Sequence, residues 1–274
     1  MTESRVSVRA LDGTSIEAIV AKPDTESGTR SHMTLLLHGI TTHKDEYGDT
    51  FQRLARELAD AGEQSLRLDF RGHGDSKAPL TEFNVRTQLL DLLAVARWLS
   101  SEQDVDRLRI LAASFSAPAA ITATLVLGQA VDKLVLLAPV LDFYETFVEP
   151  LTGWGEDNFG RERIISTLNG DTTLVLEPGF ELGADFAADL LLVNVVPTLA
   201  RLSCPVRILH GDQDGMVPLA VSKRVAAEYP NVALTVMDET EHGLAKAGDT
   251  DQESTLTASN YARVVAALST VEDA

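Results

Sequence analysis

Ser114 has the surroundings of a nucleophile. The segment Leu108–Ala120 reads LRILAASFSAPAA, an apolar strand running through small-x-Ser-x-small into a helix. Ala112 and Ser116 flank Ser114 two positions away on either side. A strand-to-helix elbow requires small residues there, because larger ones would collide with the neighbouring strand and helix. Such a turn lifts the hydroxyl clear of the sheet and aims the first helical N–H groups at a developing negative oxygen. Ala112 and Ser116 stand where the usual pattern has two glycines, and an ordinary strand–turn–helix with a capping serine shares this appearance. Ser116 is the rival nucleophile. It would put Pro118 at the position that needs a small residue, whereas with Ser114 the proline falls in the first helical turn, where its missing N–H costs little.

A serine hydroxyl is weakly nucleophilic until a base takes its proton, and the base needs an acid to orient it. Val206–Pro218 reads VRILHGDQDGMVP, a strand followed by an acidic turn and a helix start. Asp214 is the expected acid. Asp212 is the alternative, with turn capping as its ordinary role. His242, in ETEHG after the strand Val232–Met237, is the expected base, 28 residues beyond Asp214. For the oxyanion, LLLHGI at Leu35–Ile40 ends an apolar strand in His-Gly, and glycine allows close backbone approach to a substrate. The backbone N–H groups of Ile40 and Phe115 are the expected donors, with the side chains at both positions of lesser importance. His38 is expected to be a structural hydrogen-bonding residue. The loop DFRGHGDS (Asp69–Ser76) offers His73 and Asp75, read as loop architecture rather than as a metal or acid–base site. His43, Lys44, Asp45 and Glu46 are expected to order the oxyanion loop or to contact substrate.

Stepwise alternation of short apolar runs and amphipathic segments must position these groups. Ser4–Arg9 and Thr14–Ala21 flank Asp12-Gly13 and read as a β-hairpin. Strands are expected at Thr34–Leu37, Ser65–Asp69, Arg109–Ala113, Lys133–Ala138, Val206–His210 and Val232–Met237. Helices are expected at Tyr47–Ala61, Val85–Leu99, Ala117–Leu127, from about Pro218 to Glu228, and from about Glu253 to Leu268. The pattern implies an α/β fold, mostly a parallel sheet with an N-terminal hairpin and helices on both faces. Regularity fails over about 140–202, too long for an ordinary loop. This stretch is expected to be a cap inserted in a single domain spanning 1–274. Tyr144, Trp154 and Phe159, with Phe143 and Phe180, are candidates to line an acyl pocket there.

The motifs LHGIxxxKDE, LDFRGHGDS, the Ser114 elbow, HGDQDGMVP and EHG, in this order, resemble the α/β-hydrolase superfamily. The resemblance spans Val6 to about Leu268. The early motifs and the acid turn are similar to bacterial feruloyl and cinnamoyl esterases. The elbow AASFSA departs from their Gly-x-Ser-x-Gly and resembles the acyl transferases of bacterial bioluminescence, as does Phe180–Val217. The resemblance implies acyl release from an oxygen ester or a thioester, free or carrier-bound, through a Ser114 acyl-enzyme. It implies no metal or organic cofactor. A transferase, lyase or cyclase on the same scaffold is the alternative, and a binding module that has lost its chemistry is a third reading, opposed by the intact Ser, Asp and His.

Composition narrows the partners. The chain has 274 residues, 45% of them hydrophobic, enough for a sizeable core. With 41 acidic against 23 basic residues, the formal net charge is −18. Such a surface repels phosphate backbones and anionic lipid, so neither nucleic acid nor membrane is expected as a partner. Cys204 is the sole cysteine, which excludes an internal disulfide and Cys-rich zinc sites. MTESRVSVRA does not read as a signal peptide, and no run of ~18 apolar residues suggests a membrane span. A cytoplasmic location is the expectation.

Overall fold

The computed structural model describes residues 1–24, 32–248 and 258–268. Its sheet is built from the alternation anticipated above. The first hairpin pairs β1 (Thr2–Arg9) with β2 (Ser15–Lys22) in antiparallel register, Val8 opposite Ile16. Then follow β3 (His32–Leu37), α1 (Thr50–Asp60), β4 (Ser65–Leu68), α2 (Val85–Glu102), β5 (Arg107–Ala113), α3 (Ala117–Leu127) and β6 (Val131–Leu137). After a long excursion, the alternation resumes with β9 (Val206–Gly211), α7 (Leu219–Glu228), β10 (Val232–Met237) and α8 (Ala258–Leu268). The eight strands lie in the order β1-β2-β4-β3-β5-β6-β9-β10. The β1–β2 and β2–β4 pairs are antiparallel, and every other pair is parallel. Of the expected final helix, residues 253–257 lie outside the described residues.

Side chains alternate across the sheet with the strand period of two. On β5, Ile110 and Ala112 join a core packed under α2, α3 and α7, while Leu111 and Ala113 join a second core under α1 and α8. In that second core Phe51, Leu54 and Leu58 of α1 meet Leu36, Leu111 and Val135. Both faces are therefore covered, which is why β3, β5 and β6 read as near-continuous apolar runs. Each fully buried leucine contributes roughly 1.5–3 kcal/mol relative to exposure. Asn84 starts α2 with a capping box, its side chain accepting from Thr87 N–H while Thr87 Oγ accepts from Asn84 N–H.

The excursion, 138–205, contains α4 (Gly153–Asn158), α5 (Arg161–Leu168), a two-stranded hairpin of β7 (Leu174–Glu177) and β8 (Phe180–Leu182), and α6 (Ala184–Leu192). The small hairpin escapes sequence reading because its strands are short, although Pro178-Gly179 is a turn dipeptide. Phenylalanine rings join the excursion to the sheet. Phe115, at the start of the elbow, lies 5.0 Å from Phe186, 5.5 Å from Phe143 and 6.0 Å from Phe147 between ring centroids, and Phe83 closes the cluster at 5.6 Å. The Phe115 side chain is thus central to the packing, a role separate from the one expected of its backbone N–H. Polar ties complete the attachment. Asp189 accepts from the Val85 N–H at 2.7 Å, and Thr152 Oγ1 donates to the Met216 carbonyl at 3.0 Å. Arg224 on α7 pairs with Asp142 and Glu145.

Candidate active site

Ser114 sits between the end of β5 and the start of α3 with φ of +50°. A non-glycine residue in the left-handed region stores strain, and such residues cluster at functional sites. Small neighbours make the turn possible. Ala112 and Ser116 are fully buried. Ser116 Oγ is within hydrogen-bond reach of the Leu37 carbonyl at 3.0 Å and the Ala113 carbonyl at 2.8 Å, so its proton is directed into the sheet. The rival nucleophile is therefore committed to structure. A Cβ on Gly39 would lie 3.3 Å from the Ser114 Cβ, so glycine there allows the β3 end to approach the elbow.

The loops after β5, β9 and β10 converge. His242 Nε2 lies 3.1 Å from Ser114 Oγ, and His242 Nδ1 lies 2.8 Å from Asp214 Oδ2. With Nδ1–H donating to the carboxylate, Nε2 presents its lone pair to the hydroxyl. The Asp214 side chain is fully buried and fully satisfied. Its Oδ1 accepts from the Met216 and Val217 N–H groups at 2.9 and 2.8 Å. Its Oδ2 takes both His242 and, at 3.1 Å, His210 Nε2. Burial alone would raise this carboxyl. The facing imidazole and the hydrogen bonds from His210 and His242 outweigh burial and hold it well below the usual carboxylate range. For His242, burial alone would lower the imidazole. The Asp214 carboxylate, with Glu46 across the cavity, more than offsets that and raises it above its ordinary value.

Asp212 plays a different part. It is exposed and accepts from the Thr240 N–H at 3.2 Å, holding the acid turn against the histidine loop. Gly211 is required beside it, because a Cβ there would collide with the Thr240 carbonyl. His210 was not anticipated. Its Nδ1 contacts Ser222 Oγ at 2.8 Å, so the ring is fixed from both sides while touching Asp214. The available signal was its position, at the end of an apolar strand and four residues before the acid.

Ile40 and Phe115 both line the cavity at Ser114. His38 fixes the peptide between Gly39 and Ile40. The Phe70 N–H donates to His38 Nε2 at 3.0 Å, which leaves the ring proton on Nδ1, 2.7 Å from the Gly39 carbonyl. Burial keeps this imidazole neutral by lowering it well below its ordinary value. In a trans peptide the carbonyl of Gly39 and the N–H of Ile40 point in opposite directions. Holding the first therefore turns the second the other way. The His73 ring packs at a tilt against those of His38 and Phe83. Burial pushes it down to about 4. Asp75 pairs with Lys44 and Arg5, Lys44 also pairs with Asp69, and Asp45 pairs with Arg67. Among the described residues, no group of three or more His, Cys, Asp or Glu side chains converges as a metal-ligand set. No helix among them is long and apolar enough to cross a membrane.

A cavity of about 620 Å³ opens over Ser114. Val140, Phe147, Trp154, Met216 and Val217 line its apolar side. Of the aromatic residues expected to line an acyl pocket, Trp154 does so. Phe159 is buried behind it, its ring 5.4 Å from Trp154 and 4.6 Å from Phe147. Phe143 is buried in the Phe115 cluster, and Phe180 packs edge-on to His73. Tyr144 is exposed and receives a hydrogen bond from Arg161 at 2.9 Å. A phenol in the apolar core needs a hydrogen-bond partner, and the solvent face supplies one. Phe147 lines the cavity although the irregular sequence around it gave no sign of which aromatic would point inward.

The family model described as the alpha/beta hydrolase family matches residues 34–252. The chain belongs to the alpha/beta hydrolase family. The sequence is 26% identical over 192 residues to human Protein ABHD12B, covering 69% of this chain and 47% of that protein, so it spans about half the length of that curated relative. The fold is similar to that of Est1E from Butyrivibrio proteoclasticus, solved with ferulic acid bound, at a TM-score of 0.75, with 22% identity and 96% of each chain covered. It is also similar to the esterase EaEST from Exiguobacterium antarcticum, at a TM-score of 0.65 and 17% identity over 88% of this chain and 93% of that one.

Proposed function

We propose that the chain is a serine hydrolase that cleaves acyl esters or thioesters through an acyl-enzyme on Ser114. The observation that carries this reading is the chain of contacts from Ser114 through His242 to Asp214, at 3.1 and 2.8 Å, opening into a cavity. His242 Nε2 takes the hydroxyl proton as Ser114 Oγ attacks the acyl carbonyl. The carbonyl π electrons move onto oxygen, where the Ile40 and Phe115 N–H groups receive the negative charge. Asp214 stabilises the imidazolium without taking its proton. The tetrahedral intermediate collapses, the bond to the leaving oxygen or sulfur breaks, and His242 returns the proton to that atom. Water, deprotonated by His242, then attacks the acyl-enzyme and releases a carboxylic acid and free Ser114. The chemistry requires no metal or organic cofactor.

The 138–205 segment acts in this reading as a cap that sets acyl preference. Its Phe147 and Trp154, with Val140, Met216 and Val217, suit an apolar or aryl acyl group. The remaining wall carries Glu46, Asp49 and Glu241, and among the described lining residues there is no lysine or arginine. A phosphate-bearing carrier finds no cationic partner on such a wall, so a neutral leaving group suits it best.

The test is a panel of paired oxygen esters and thioesters with short, medium, long and aromatic acyl groups, run on the wild type and Ser114→Ala. Turnover of apolar or aryl esters with neutral leaving groups, abolished in Ser114→Ala, is the expected result. A burst without turnover would instead indicate transfer to an acceptor other than water. Failure to turn over any substrate, with Ser114 also unlabelled by a phosphonate probe, would overturn the reading.

A further inference from the structure

The loop that connects β3 to α1 holds an unusual amount of strain. Thr41, Glu46 and Asp49 all have positive φ, at +63°, +58° and +56°. Glu46 is the extreme case, because its ψ of 174° places it in a region that is essentially confined to glycine. A conformation of that kind costs roughly 1–3 kcal/mol and persists only where the surroundings hold it. What holds Glu46 is its own carboxyl. Oε2 accepts the Gly39 N–H at 2.8 Å, and Oε1 receives the Tyr47 N–H at 3.3 Å. The strained backbone therefore turns a carboxylate inward, against the peptide that precedes the Ile40 donor.

Gly39 needs this partner. Strand pairing on β3 ends at Leu37, which leaves the next backbone groups without ladder partners. His38 takes the Gly39 carbonyl, and Glu46 takes the Gly39 N–H. The two peptide planes at Gly39 are thus fixed by two side chains, one on each side. Glu46 also lines the cavity with Ser114 and His242.

We propose that Glu46 is a positioning residue for the reaction at Ser114: it clamps Gly39 beside the oxyanion donor and biases the charge of His242 across the cavity. The proposal rests on reading Ser114, His242 and Asp214 as a triad. Burial pushes the Glu46 carboxyl up to about 7, against its two backbone hydrogen bonds and the attraction of His242. The attraction is mutual, since ionised Glu46 is among the groups that raise His242. The other titratable groups on the cavity wall are His43, Tyr47, Asp49 and Glu241, with Asp214 behind His242. Glu46 and His242 therefore titrate as a coupled pair, and the acid limb of activity belongs to the pair.

Glu46→Gln and Glu46→Ala separate the two roles. Glutamine retains an oxygen acceptor for Gly39 but has no charge. Without the negative charge, the imidazolium loses stabilisation, and His242 becomes neutral at lower pH. Glu46→Gln is expected to lower kcat at pH 8 less than Glu46→Ala does and to move the acid limb of kcat/KM to lower pH. Glu46→Ala is expected to lower kcat by about tenfold, the scale of one hydrogen bond, with KM little changed. The rate of phosphonate labelling of Ser114 across the same pH range provides the limb without relying on turnover. A Glu46→Gln limb that superimposes on the wild type would overturn the proposal, even if Glu46→Ala fails to fold. Ser114→Ala run alongside keeps the two claims apart. If it retains activity the triad reading fails, whereas an inactive Ser114→Ala with unshifted Glu46→Gln sinks only the role of Glu46.

Discussion

Ser114 and Trp154 face the same cavity, yet they are held there in different ways. Ser114 is placed by backbone: the ends of parallel strands, a strained turn and a hydroxyl at Ser116 bonded to two carbonyls. Trp154 is placed by side chains, leaning on Phe159, which leans on Phe147, which belongs to the cluster around Phe115. The strand ends use hydrogen bonds whose direction is fixed by the peptide. The 138–205 segment uses aromatic surfaces, which tolerate many arrangements of similar energy. On the proposed reading, chemistry is therefore specified at the sheet end, and the fit to substrate above it.

That contrast can be tested by substitution. The largest effect is expected at the sheet end. Ser114→Ala should lower kcat by roughly 10⁶-fold with an unchanged unfolding midpoint, and Asp214→Asn by about 10⁴-fold with a lowered midpoint, because it removes a buried, fully bonded carboxylate. Steady-state hydrolysis and thermal melts measure both. An Asp214→Asn enzyme with native kcat would remove Asp214 from its assigned role.

Above the sheet, stability should suffer before chemistry does. Phe186→Ala removes a fully buried ring 5.0 Å from Phe115 and should cost about 3–5 kcal/mol in chemical denaturation. Retention of full stability would mean that the segment is not bolted to the elbow through this cluster.

His73 supplies a pH test of intermediate size. It is buried and lowered to about 4, from an ordinary value near 6.5. The unfolded chain therefore binds the extra proton first as the pH falls, so stability falls with it between about 6.5 and 4. The loss from this residue should reach about 3 kcal/mol at pH 4. Denaturation of wild type and His73→Phe across that range should show the slope flattened in the variant, and parallel slopes would show that other groups dominate. The smallest effect belongs to the tie between the two regions. Thr152→Val removes both the hydrogen bond to Met216 and the oxygen that accepts from the Gly155 N–H at the start of α4, and should cost about 1–2 kcal/mol, moving KM more than kcat. A fall in kcat as large as that of Asp214→Asn would show that the two regions are not separable.

The same contrast governs what the sequence could reveal. β10 and α3 were legible to the residue, since apolar period and small-residue runs report burial directly. The order of the Ser114, Asp214 and His242 loops was legible because each follows a short apolar strand. The motif favours Asp214 over Asp212, but the physical distinction is made by the Met216 and Val217 N–H groups, which turn toward only one of them. His210 was hidden because a histidine at the end of a strand reveals nothing of the ring's direction. The aromatics of 138–205 were least legible. Phe143, Phe147 and Phe159 are all buried, and only the fold decides that Phe147 borders the cavity while the other two do not.

The Ser116 hydroxyl reaches the carbonyls of Leu37 and Ala113, which stand shortly before Ile40 and Phe115 on adjacent strands. One side chain therefore acts as a spacer bar between the two arms that carry the proposed oxyanion donors. The gap between those arms is set by the pleat of a buried sheet, remote from solvent and from the aromatic segment. On the proposed reading, changes in the aromatic roof can alter acyl preference without recalibrating the chemistry.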